Sequence, residues 1–216
     1  MRCLEVLRAF SFALSLVLGG CAGTGNDAMP DLAAQLQTAE RLYEEQGNAL
    51  TAETLIRETM EAYRTRNDQL GLAEAYRAYA FFLRSGVIEG KWSEHYKSVG
   101  FLDPSVTFAT RYEKSIDYLE KARAIFSTYG RYDALTNINL NIGFTYEVLG
   151  NPEAACRAFE NSIGSNREGL ERHAKLQIGL PKGYATYEDF LAPHRKRVGC
   201  EAAKQRRGKQ PNVMSA

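Results

Sequence analysis

The stretch that decides the reading runs from Thr136 to Gly169, TNINLNIGFTYEVLGNPEAACRAFENSIGSNREG. It holds two helical segments around one break, Gly150-Asn151-Pro152-Glu153. Glycine supplies the turn residue that ends one helix and asparagine caps the next. Proline fills the first helical position, where no backbone donor is needed. Before the break, Ile142-Gly143 and Tyr146 fall on one helical face; after it, Ala155, Phe159 and Ser162 do the same. The stretch therefore reads as one helix, a break at the glycine, and a second helix.

The layout recurs in both directions along the chain. Residues 33–66 carry Ala39, Tyr43, Gly47, Ala52 and Ile56 at matching places. A third copy is split: Ala78, Phe82 and Gly86 hold its first helix, and Ser115, Leu119, Ala122 and Ile125 its second. Three helical pairs are therefore expected between residues 31 and 180, followed by a degenerate helix near 166–178 and a capping segment over 181–203 that Pro193 interrupts. An arbitrary helical bundle would use the same residue types, and either way the class is all-α.

The spacings resemble the tetratricopeptide repeat, with Asn139 where the signature tryptophan of that family would stand in the best copy. The resemblance covers most of the chain after its leader. It implies a short solenoid of helical hairpins with a concave groove lined by the first helix of each pair. Carried over position by position, the groove residues are Gln37 and Arg41, then Tyr76 and Arg77, then Asn137, Asn141 and Phe144. Asparagines suit an extended peptide's backbone, arginines suit carboxylates, and aromatics give apolar anchors. The lysine-rich clamp of repeats that grip carboxyl-terminal peptides is missing.

The amino terminus reads as an address. Arg2 and Arg8 flank a basic start, and Ala9 to Leu18 is an apolar run too short to span a bilayer. It ends in Leu18-Gly19-Gly20-Cys21, which resembles the lipobox of bacterial lipoproteins. That resemblance implies a signal peptide over residues 1–20, acylation of Cys21, and anchoring through acyl chains such as palmitate. By the same resemblance, Ala22 in place of an aspartate points to the outer membrane, with the body facing the periplasm. An ordinary secretory signal with an incidental cysteine is the other reading. Residues 21–30 read as a tether.

The whole chain has 27 Lys and Arg against 26 Asp and Glu; removing residues 1–20 takes away Arg2, Arg8 and Glu5 and leaves the two signs equal. Such a body is no nucleic-acid binder by charge. With Cys3 lost and Cys21 acylated, Cys156 and Cys200 remain, and two thiols in an oxidising compartment suggest one disulfide. Beyond residue 190 the basic residues Arg195, Lys196, Arg197, Lys204, Arg206, Arg207 and Lys209 face only one acid, Glu201. The basic tail over 204–216 reads as a solvated end, or more sharply as a contact for anionic headgroups or an acidic partner.

No constellation for chemistry emerges. His95, His173 and His194 stand far apart and form no metal-ligand motif, and no phosphate-cradling loop or nucleophile elbow is present. The alternation of Glu58, Glu61, Arg64 and Arg66 is that of a solvated helix face. No enzyme, metal or cofactor is expected. One segment breaks the repeat pattern: after Gly86, which should end a helix, GVIEGKWSEHYKSVGFLDP separates the halves of the second pair. This insertion, at about 86–107, holds Trp92, Tyr96 and Phe101. They are expected either to pack on the chain's own helices or, as Trp92 and Tyr96, to anchor a partner. The functional expectation is a lipid-anchored adaptor that binds a protein or peptide during assembly of an envelope machine. The alternative is an immunity lipoprotein that neutralises a delivered toxin.

Overall fold

The computed structural model describes residues 31–172, 180 and 182–200. The expected leader and tether with Cys21, His173 and the expected basic tail over 204–216 lie outside the described residues. All regular structure among the described residues is helical: α1 (Leu32–Glu44), α2 (Ala49–Thr65), α3 (Gln69–Leu83), α4 (Gly86–Glu89), α5 (Ser93–Ser98), α6 (Arg111–Thr128), α7 (Tyr132–Val148), α8 (Pro152–Arg172) and α9 (Tyr187–Arg197). Within this set no helix is long and apolar enough to cross a membrane.

Short turns with local caps join α1 to α2, α2 to α3, α6 to α7 and α7 to α8, while residues 84–110 separate α3 from α6. Asp31 accepts from the backbone N–H groups of Ala33 and Ala34, and Asp68 from Gly71, while Asn151 accepts from Ala154 at 3.1 Å. At Gly47 and Gly150 the chain turns with φ of +61° and +68°, the left-handed region that glycine enters without a Cβ penalty. Turns this short make neighbours antiparallel. Helix α1 packs on α2, α3 on α6, and α7 on α8, while α2 against α3 and α6 against α7 join one pair to the next.

The residues that recur in sequence recur in position. Ala52, Ser115 and Ala155 are fully buried, and so are Ile56, Leu119 and Phe159 four residues on. The small residue at a crossing is a steric requirement. A Cβ on Gly143 would stand 2.4 Å from the Phe159 ring, so α7 and α8 approach there only because that atom is missing. One large core runs from Leu32 to Ala158, and a smaller one gathers Phe159, Tyr187, Leu191 and the two cysteines.

Three expectations need correction. No separate helix begins near residue 166, because α8 continues unbroken to Arg172 with Asn166 and Gly169 buried along its inner face. Pro193 does not interrupt the capping helix: α9 runs through it, started by a Thr186–Asp189 capping box and held by buried Tyr187 and Leu191. Gly86 opens α4; α3 ends at Leu83 with Arg84 as its C-cap.

Cys156 at the start of α8 and Cys200 beyond α9 are disulfide-bonded, with Cα atoms 5.3 Å apart across 44 residues of sequence. Ser162 spends its single proton on the Thr136 carbonyl at 2.7 Å, so the Tyr187 hydroxyl, 2.6 Å away, donates to Ser162 and fixes α9 on the last pair.

Candidate functional site

The insertion is built around one buried carboxylate. Glu53 on α2 is only 2% exposed, and its oxygens accept from the Tyr79 hydroxyl at 2.8 Å, the Tyr96 hydroxyl at 3.2 Å and the Leu102 N–H at 2.8 Å. Those donors come from α3, α5 and the loop after α5, so one side chain ties three segments together. Burial raises the Glu53 pKa, opposed in part by these donors and by the nearby Arg57 guanidinium. Around it, Tyr96 stacks on Phe101 with centroids 4.3 Å apart, and the Trp92 indole N–H donates to the Gly47 carbonyl at 2.8 Å. The aromatics of the insertion therefore pack on the chain's own helices. Tyr96, proposed from sequence as a partner contact, is 1% exposed and is a core residue. Trp92 is half-buried, with its one polar hydrogen already committed.

The first helices of the three pairs line a run of adjoining clefts. Gln37 and Arg77 border a cleft of about 390 Å³ between α1 and α3, floored by Tyr43, Tyr63 and Phe81. Glu40, Tyr43 and Phe81 continue into a second cleft of about 350 Å³, bordered by Arg84 of α3 and by Phe144 and Val148 of α7. Gln37 and Arg41 edge a third hollow along α1, which shares Glu40 and Glu44 with the second cleft and adds Glu45.

Of the groove residues read from sequence, Gln37, Arg41, Arg77 and Phe144 thus share this face. Tyr76 does not join them, because it packs against Tyr118 and Lys121 of α6. Asn137 and Asn141 serve as internal supports: the Asn141 amide donates to the Asn137 carbonyl at 2.7 Å, and Asn141 itself receives Arg84. Phe144 is braced from behind by Phe159 and by His194 of α9, with centroids 5.5 and 4.9 Å away.

Arg84 is the residue that sequence reasoning missed. Its guanidinium donates to the Asn141 carbonyl and to the Thr145 hydroxyl, each at 3.2 Å, and to the Asn141 side-chain oxygen. It also lies over the Phe81 ring, 4.8 Å from the centroid. None of these partners is a carboxylate, and burial lowers its pKa. The signal was present in the sequence: Arg64, Arg77 and Arg123 each pair with a glutamate three residues earlier, whereas Arg84 has Phe81 there.

Among the described residues, no three histidine, cysteine or acidic side chains gather as a metal site. His95 packs against Trp92 and Tyr96, and His194 against Phe144 and Phe190. Compared with known proteins, the chain matches no family model, no curated protein and no solved structure.

Proposed function

We propose that this chain is a lipid-anchored adaptor of the bacterial envelope, built as a short tetratricopeptide-like solenoid, that binds a partner protein through the α1, α3 and α7 face. One observation carries the reading. Side chains from the first helix of all three pairs border clefts that share Glu40, Tyr43 and Phe81, so a single segment can run across them. The Cys21 lipobox supports the anchor, and the disulfide suits an oxidising compartment.

The face is mixed in character. Phe81, Phe144 and Val148 offer apolar area, while Gln37, Glu40 and Arg41 are exposed and polar. Interfaces of this kind draw affinity from a few aromatic and arginine contacts, with the rest providing fit. The insertion, with its aromatics turned inward, serves the fold in this account and braces the second pair.

The test has two arms. Cys21→Ser should release the chain from membranes or block its maturation; fractionation with membranes as in the parent would remove the anchor. A Gln37→Ala, Phe144→Ala double variant should lose the partner that crosslinks to the parent in intact cells, while Asp117→Ala on α6 keeps it. Equal recovery by both variants would remove the groove.

A further inference from the structure

We infer that Arg84 is the receptor for a carboxylate: the partner segment on the α1, α3 and α7 face sets an acidic side chain against this guanidinium, next to an apolar one on Phe81, Phe144 and Val148. The inference rests on the groove reading and adds the chemistry of what lies in it.

Removing a cation from water is costly unless an anion or a full set of acceptors replaces the lost hydration. Arg84 is half-buried, and only neutral groups answer it: the Asn141 carbonyl and side-chain oxygen, the Thr145 hydroxyl, and the Phe81 ring. The acceptors engage the two terminal nitrogens and come from one side, α7. They aim and hold the fork without neutralising it. A guanidinium has five N–H donors, and the ones these acceptors leave over suit a planar carboxylate. No ion pair to Arg84 forms among the described residues, although at least nine other arginines there have one, from Arg57 to Arg197.

The surroundings make this a site and not only a brace. Arg84 borders the cleft of about 350 Å³, whose walls include Tyr43, Phe81, Tyr112 and Phe144. Aromatic walls exclude water from one side of the guanidinium, which strengthens its attraction for an anion. On the α1 side of the same cleft stand Glu40 and Glu44, both exposed and without an ion pair among the described residues. They would repel an acid placed near them. The segment therefore carries its carboxylate on the α3 and α7 side and a lysine or arginine on the α1 side. A protein segment with neighbouring opposite charges and an apolar residue fits; a plain anion satisfies only half of the cleft.

The experiment is to pan a random peptide display library against the full chain, with Phe144→Ala chain as the counter-selection. The best binder is then synthesised with each acidic residue changed to its amide. In the expected result, the selected peptides share an acidic residue beside an apolar one, and one acid-to-amide change weakens binding at least tenfold. Arg84→Gln weakens the unmodified peptide by a similar factor, and combining the two changes adds little, the signature of a direct pair. Because Arg84 also joins α3 to α7, the peptide-side change leaves the fold untouched and keeps the result readable if Arg84→Gln is unstable. Binders without an acid requirement, or losses that simply add, overturn the role of Arg84 while leaving the groove. A library yielding no binder that Phe144→Ala abolishes overturns the groove reading itself.

Discussion

Glu53 and Arg84 are both charges drawn out of water, and the molecule treats them in opposite ways. Three donors from three segments converge on Glu53, which is sealed beneath the insertion. Arg84 receives neutral acceptors from one helix and opens on a cleft. A buried charge answered on all sides holds a fold together, and removing it strands its partners. A charge answered on one side leaves capacity for something not part of the chain. That comparison supports the proposal that the insertion is architecture and the α1, α3 and α7 face the partner surface, although the insertion carries the more conspicuous aromatics.

The largest expected effect is at the clamp. Glu53→Ala leaves two buried tyrosine hydroxyls and a backbone N–H without their acceptor, and should cost about 3–5 kcal/mol in chemical denaturation. A cost under about 1 kcal/mol would mean that the insertion is held by its apolar contacts alone. Next is the bridge between Cys156 and Cys200. Chain entropy for a loop of that size predicts a loss of roughly 3–4 kcal/mol when both are changed to serine. Because α9 braces Phe144 through His194, the same variant should weaken partner binding too. Two freely reactive thiols in the denatured, unreduced protein would contradict the bridge.

Trp92→Ala should lower stability by about 2 kcal/mol, through lost packing and one of the two hydrogen bonds to the Gly47 carbonyl, the other coming from Lys91, and leave the affinity of the folded protein for its partner nearly unchanged. Affinity loss with an unchanged melting temperature would move Trp92 to the working surface. The clamp also has a pH signature. A carboxyl whose folded pKa is raised contributes stability that is full below its unfolded value and is lost as pH rises through the folded one. The stability difference between the parent and Glu53→Gln should therefore shift toward the parent as pH falls from about 7 to about 4, near the ordinary carboxyl range. Parallel curves would mean that the donors offset burial entirely. At the small end, Gln37→Ala on the exposed face should change stability by less than about 0.5 kcal/mol.

The helix pairs were legible because their signals are local: turn glycines, cap residues and a small residue facing an aromatic all lie within one hairpin. Gly143 and Phe159 illustrate this, since their contact joins helices that one short turn connects. Glu53 was harder. An acid on an amphipathic helix looks solvated, yet Glu53 stands four residues after Ala49 and three before Ile56, on the apolar stripe itself. Its donors, Tyr96 and Leu102, come from a segment whose docking no local pattern encodes. Tyr76 was assigned to the groove by repeat position, and the neighbouring α6 captured it. Pro193 reads as a break by propensity, but buried Tyr187 and Leu191 and the disulfide outweigh the one missing backbone hydrogen bond.

The most direct measurement is site-specific photo-crosslinking in living cells, with a benzophenone side chain placed singly at Gln37, Val148, Leu102, Asp117 and Arg157. All five positions are exposed, so incorporation should leave the fold intact. One common adduct is expected from Gln37 and Val148, at the two ends of the α1, α3 and α7 face, and none of that size from Asp117 or Arg157 on the outer helices or from Leu102 on the insertion. The same adduct arising from Leu102, with Gln37 and Val148 silent, would contradict it and make the insertion the binding surface.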